Sequence, residues 1–181
     1  MRRRALLDFA VLGLLHESPM HGYELRRRLN AALGAFRALS FGTLYPCLKA
    51  LLQAGLIVED AQVAPTGKRP RITYALTEAG RDEFARQAAR IDPAAWEDDG
   101  FELRVAFFSR TDRDTRLRIL EGRRSRLEER LDTMRSSAQR SRDRMDSWTA
   151  ALQRHAEDST EREVRWLTEL IDAEHRPGPP A

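Results

Sequence analysis

The sequence predicts a mainly α-helical protein in two parts: three helices, a β-hairpin and a fourth helix up to about residue 92, then a helical half with one long amphipathic helix. Three observations predict it. Leucines recur at steps of three and four through most of the chain, and two short β-branched and aromatic runs flank "APTGKRP". The composition also changes at Asp92-Pro93, which sets domains at 1–92 and 93–176 and leaves 177–181 ("PGPPA") as a disordered tail.

The first element, Ala5 to Leu15, is apolar almost all round, so a short helix here needs contact on more than one side. Leu7 and Val11 are therefore expected at a contact with a second domain or subunit. "ESPMHGY" interrupts it, and "YELRRRLNAALG" carries Leu25, Leu29 and Leu33 on one face with Arg26, Arg27 and Arg28 beside it and Gly34 as C-cap. In "FGTLYPCLKALLQAGLI", Ser40 caps a third helix beginning near Gly42 or Thr43 and closed by Gly55. Leu44, Leu48, Leu51 and Leu52 share its inner face. Thr43, Pro46, Lys49, Ala50 and Gln53 lie opposite, with Tyr45 on the border. Proline is tolerated in a first turn, where the amide it lacks has no intrahelical partner.

"LIVEDAQV" and "RITYAL" form the hairpin; Ile72, Tyr74 and Leu76 alternate with Arg71, Thr73 and Ala75. Thr77 caps the fourth helix. Beyond residue 92, Phe101, Val105 and Phe108 mark a short helix, and Thr111 with Asp114 resembles a capping box. Leu117, Leu120, Arg124, Leu127, Leu131, Met134, Ala138, Ser141, Met145, Trp148 and Leu152 then form a heptad seam. Unbroken from 111 to 155, that helix would run roughly 65 Å and need a partner outside its own domain. Thr160 with Glu163 suggests a second cap ahead of a last helix bearing Val164, Leu167, Leu170 and Ile171.

Composition narrows the function. Of 181 residues, 41% are hydrophobic and 33% charged. Residues 1–92 hold 14 Lys plus Arg against 9 Asp plus Glu, net +5; the rest hold 17 against 19, net −2. The basic half is the part suited to a polyanion. The single cysteine, Cys47, forms no internal disulfide, which makes the cytoplasm the expected location. The opening apolar run contains Asp8, ends in His16 and Glu17 and is too short to span a bilayer, so neither a signal peptide nor membrane attachment is expected. Four scattered histidines give no metal spacing, and no glycine-rich phosphate loop or nucleophile elbow occurs; no metal, cofactor or catalytic residue is expected. Cys47 is open to two readings, a redox switch favoured by nearby Lys49 or a small structural cysteine.

Three helices, a hairpin and a helix are the order of a winged helix-turn-helix. In that arrangement the exposed face of the third helix enters the major groove, about 12 Å wide, and the hairpin tip reaches adjacent phosphates. Here the helix presents Thr43, Tyr45 and Lys49, and the tip presents Lys68, Arg69 and Arg71, so donors recur on both elements.

"LGLLHESPMHGYEL", "LSFGTLYPCLKALLQAGLI" and "GKRPRITYALTEAGR" together resemble the PadR family of bacterial transcriptional regulators, over about residues 6 to 90. The helical half is similar in architecture to the dimerisation region of its longer subgroup. The resemblance implies a homodimeric repressor on a pseudo-palindromic operator of double-stranded DNA. It assigns Thr43, Tyr45 and Pro46 to the recognition helix and Lys68 and Arg69 to the basic wing; Pro70 in the wing is a departure from the pattern, and Ser40, Lys49 and Arg71 are expected to add to the DNA contacts. His21 and Tyr23 are placed where the second helix meets the DNA backbone; the rival reading buries Tyr23 and makes His21 a helix cap. The dimer contacts expected are Leu7, Val11, Leu117, Leu120, Leu127, Leu131, Met134, Met145, Trp148, Leu167 and Leu170. Trp96, Phe101, Phe107, Phe108 and Trp148 could form a pocket for a small planar effector, against the favoured reading of helix-packing core and linker anchoring. Two other readings are a MarR-like dimer, which the G-T-L-Y-P signature argues against, and a winged-helix scaffold for protein partners, which the basic third helix and wing argue against.

Overall fold

The structure, a computed structural model, describes residues 2–33, 41–61, 72–90, 93–141 and 146–176. The elements are α1 (Arg2–Glu17), β1 (Met20–His21), α2 (Gly22–Leu33), α3 (Phe41–Gln53), β2 (Ile57–Ala61), β3 (Ile72–Leu76), α4 (Glu78–Ala89), α5 (Asp98–Ala106), α6 (Arg113–Ser141) and α7 (Ser147–His175). Short 3-10 turns occupy Pro93–Trp96 and Phe108–Arg110. Two compact units result, Met1–Arg90 with Asp98–Thr111, and Ile91–Glu97 with Asp112–Ala181. A single cut after residue 92 is therefore too simple, since α5 belongs with the first unit.

Aromatic packing explains that allegiance. Phe9 of α1 stacks on Phe84 of α4 with ring centroids 5.1 Å apart, and Phe107, just after α5, meets both rings edge-on at 5.7 and 5.8 Å. Arg104 of α5 donates to the carbonyls of Gln87 and Ala88 at 3.0 and 2.9 Å, serving the C-terminal end of α4. Around these lie α1, the inner faces of α2 and α3, Ile57, Tyr74 and Leu76 in one core. Leu7 and Val11 belong to it, and Val11 is 0% exposed. The all-round apolar character of α1 is thus satisfied within its own unit, which corrects their assignment to a dimer contact. Phe101 and Phe107 are likewise buried.

The sheet is antiparallel in the order β1-β3-β2. Ile57 pairs with Leu76 and Ala61 with Ile72, while Met20 pairs with Tyr74 and His21 with Thr73. The sequence pattern does not reveal β1, a two-residue strand, and it misassigns one face of β3: Thr73 is buried and Ile72 exposed. At the end of α3, Gly55 takes φ +70, and Leu56 and Gly55 donate to the carbonyls of Leu51 and Leu52 at 3.0 Å each, a Schellman cap. Thr77 caps α4 as expected, its Oγ1 accepting from the Gly80 amide at 3.0 Å.

In the second unit α6 and α7 form a helical hairpin where one helix to residue 155 was expected. The cap residues are aspartates. Asp112 accepts from the Thr115 amide at 2.8 Å, and Asp146 accepts from the amides of Trp148 and Thr149 at 2.9 and 3.1 Å. Thr111 instead donates back to the Phe107 carbonyl, and Thr160, inside α7, donates to Ala156. Leu120, Leu127 and Leu131 of α6 and Leu167 and Ile171 of α7 are buried, so much of the seam is satisfied within the chain. Arginines on α6 pair with glutamates on α7: Arg116 with Glu174, Arg123 with Glu163, Arg135 with Glu161. Arg123 also donates to the Trp96 carbonyl at 2.6 Å. Gly122 makes room for the indole, since a Cβ there would lie 2.3 Å from Trp96 Nε1.

Candidate nucleic-acid interface

The candidate surface is built from α3 outward. Leu44, Cys47, Leu48 and Leu51 are buried, which fixes the rotation of α3 about its axis and leaves Thr43, Tyr45, Pro46, Lys49 and Gln53 exposed. Tyr45 retains 49% of its surface, although large aromatics are usually drawn into cores. The helix begins at Phe41, earlier than expected, so Pro46 lies in its second turn. Proline therefore withholds the amide that would serve the Gly42 carbonyl. Ser40, Lys68, Arg69, Arg71 and Met145, as well as Gly34 and the 177–181 tail, lie outside the described residues.

Behind the exposed face, the Cys47 thiol donates to Asp8 Oδ1 at 3.0 Å. Burial first, and then this bond to Asp8, push its pKa well above that of a free thiol. A thiol so held is a structural cysteine and not a redox nucleophile.

The start of α2 adjoins α3. A Cβ on Gly22 would lie 3.6 Å from the Tyr45 hydroxyl and 3.7 Å from the Tyr74 ring. Tyr74 itself is buried, which raises its pKa, with the Glu59 carboxylate acting in the same direction. Tyr23 is 65% exposed, against the reading that buried it, and the Arg26 guanidinium sits 5.7 Å from its ring centroid. Arg27 and Arg28 both donate to Glu24, at 2.8 to 3.0 Å, and Arg28 also reaches Glu17 at 3.0 Å. The Arg27 bond, then the Arg28 bond, lower the Glu24 carboxyl to about 2. Arg27 and Arg28 thus already hold carboxylates, an internal competition that the bare "RRR" run conceals.

His21 does not cap α2. Its Nδ1 lies 3.2 Å from the Ile72 carbonyl oxygen and 2.9 Å from Thr73 Oγ1, both on β3.

The other expected sites are dispersed. Trp96 packs beside Gly122 in the second unit, and Arg126 stands over its ring at 5.7 Å. Phe108 is half-buried in the first unit, whereas Trp148 and Leu152, near the start of α7, are 84% and 69% exposed. Leu117, Met134 and Leu170 are partly buried in the hairpin. Among the described residues no acidic, histidine and cysteine cluster could hold a metal ion, and no helix is long and apolar enough to cross a membrane.

Residues 11–86 match the transcriptional regulator PadR-like family. The chain is similar to the negative transcriptional regulator PadR of Bacillus subtilis (strain 168), with 30% identity over 105 residues. That match takes in 58% of this chain and 57% of the relative, so the chain spans little more than half of its length. Among solved structures it is similar to Bacillus subtilis PadR in complex with operator DNA, at 23% identity and a TM-score of 0.46, covering 93% of this chain and 98% of that one. The same protein in complex with p-coumaric acid gives 22%, 0.42, and coverage of 94% and 99%. The family match falls on the segment that contains β1, α2, α3, the hairpin strands and most of α4, so it is this segment that is similar to the PadR-like family of transcriptional regulators.

Proposed function

We propose that this protein is a sequence-specific DNA-binding repressor that acts as a homodimer on a pseudo-palindromic operator. The observation that carries the reading is α3. Its buried leucines hold Thr43, Tyr45, Pro46 and Lys49 together on an exposed face, a polar and cationic edge on a rigid helix. Each protomer lays that face in the major groove, with Lys68, Arg69 and Arg71 of the hairpin tip on neighbouring phosphates. His21 of β1 and Tyr23 in the first turn of α2 are placed at the DNA backbone in this reading. Repression is the function named for the Bacillus subtilis relative. Two-fold symmetry sets half-sites about 34 Å apart or a multiple of that. A small planar effector, received by the helical half, releases the operator.

A mobility-shift titration with the DNA upstream of the protein's own coding sequence tests the reading. Tyr45→Phe and Lys49→Ala each weaken binding by roughly 1–3 kcal/mol, or about 5- to 150-fold, while the helical content and oligomeric state stay as in the parent. Log affinity falls linearly with log salt, and Lys49→Ala reduces that slope by about 1 per protomer if its partner is a phosphate. Parent-like binding by both variants would remove α3 from the interface. Quenching of tryptophan fluorescence by a planar aromatic acid that releases DNA, lost on Trp148→Phe with Trp96→Phe, tests the effector.

A further inference from the structure

Resting on the reading of α3 as the element that enters the major groove, we propose that Gly22 and Tyr74 are positioning residues for Tyr45: together they form a seat that fixes the phenol end of its ring before DNA arrives. The seat is read from space. A Cβ on Gly22 would lie 3.6 Å from the Tyr45 hydroxyl oxygen, 3.9 Å from Tyr45 Cζ and 3.7 Å from Tyr74 Cε2. The end of one ring and the edge of the other thus meet over the α-carbon that begins α2. Gly22 is buried, yet its φ is not positive, so its backbone conformation does not call for glycine. Its surroundings call for a small residue: a methyl group fits at these distances, and a larger side chain competes with the two rings for the same volume.

Tyr74 is a firm wall for this seat. It lies on the central strand, paired with Met20 on one side and Glu59 on the other, and is buried. Burial first, then Glu59 and then Tyr45, raise its pKa, so the two phenol groups lie within electrostatic reach of one another. Tyr45 nevertheless remains half exposed. Its ring is therefore held at the hydroxyl end and open along the rest, the arrangement of a side chain that meets a partner already ordered. Ordering a mobile side chain on binding weakens affinity roughly 2- to 12-fold, and the seat avoids that loss.

The test is a double-mutant cycle on binding of the full chain to the DNA upstream of its own coding sequence, with Gly22→Val, Tyr45→Ala and the two combined, and with Gly22→Ala as the conservative variant. The valine branches take the seat, and Gly22→Val weakens binding roughly 2- to 12-fold. The same change adds nothing to Tyr45→Ala, because the ring it displaces is already gone. Gly22→Ala, whose methyl fits, restores most of the affinity that valine removes. Additive losses from Gly22→Val and Tyr45→Ala, or parent-like binding by Gly22→Val, would overturn the proposal. If the valine variant does not fold, the free parent decides: nuclear Overhauser contacts between the Gly22 α-protons and the Tyr45 ring are expected, and their absence overturns the seat. Parent-like binding by Tyr45→Ala, or a parent that does not bind this DNA, would instead overturn the reading of α3 beneath it.

Discussion

Cys47 shows how far one residue can be read before its neighbours are known. In sequence it sits on the flank of a helix near a lysine, a setting that suits a reactive thiolate. In the structure it faces inward, donates to Asp8, and burial raises its pKa. Lys49, two residues on, points to the opposite, exposed face and cannot stabilise a thiolate on the inner one. The expected outcome is a thiol that reacts with iodoacetamide only as fast as the domain unfolds, so that labelling follows the denaturation curve. Rapid labelling of the native protein at neutral pH would contradict it. Tyr23 and Tyr45 carry the opposite lesson: helical spacing put Tyr45 on the border of α3, and burial of its leucine neighbours settled it as exposed. What sequence could not show was pairing at a distance. Asp8 with Cys47, Glu17 with Arg28 and His21 with β3 join residues 11 to 52 positions apart, and no local pattern announces them.

At the scale of elements, periodicity found the helices but not their partners. The leucines of α6 do repeat as a seam, yet an amphipathic stripe looks the same whether its partner is another chain or the next helix of the same one. The signal that separates α6 from α7 was present as "MDSWT", in which Asp146 precedes two amides that it caps. The hairpin is held by apolar residues and by charge sorted between helices, with the arginines on α6 and the glutamates on α7. Arg116 meets Glu174 in a two-pronged pair, Nε to Oε1 at 2.8 Å and NH2 to Oε2 at 2.7 Å, and this bond lowers the Glu174 pKa. Because the folded value lies below the ordinary 4.5, the pair contributes fully above that pH. Its contribution is lost as pH falls through the depressed folded value. Glu174→Gln should therefore cost about 1 kcal/mol at neutral pH and little at pH 3, so that the two thermal-stability curves converge under acid. Asp112 and Asp146 shift in the same direction, so the parent keeps an acid limb even when this pair is removed. A constant difference between parent and variant across the whole range would show that the charge of Glu174 is not what stabilises the hairpin.

For the whole molecule, the hairpin's own packing sharpens where a second copy would bind. The buried leucines of α6 are occupied within the chain, and so are Leu7 and Val11, which removes them as candidates. Trp148 and Leu152, spaced i, i+4 on the first turns of α7, are the most exposed large apolar residues of the helical hairpin among the described residues. Two copies of this pair offer several hundred Å² of apolar surface, on the order of 10 kcal/mol before the entropy of association is subtracted. A proposed homodimer with operator half-sites set by two-fold symmetry needs such a contact, and the double change Trp148→Glu, Leu152→Lys tests it without touching the hairpin core. Sedimentation equilibrium should show a monomer with parent-like helical content. Operator affinity should fall at least tenfold, because each half-site is then bound separately and the second contact loses the effective concentration that linkage supplies. A double variant that still sediments as a dimer would move the interface elsewhere on the chain. A monomer that binds the operator as tightly as the parent would show instead that recognition by α3 needs no symmetric partner.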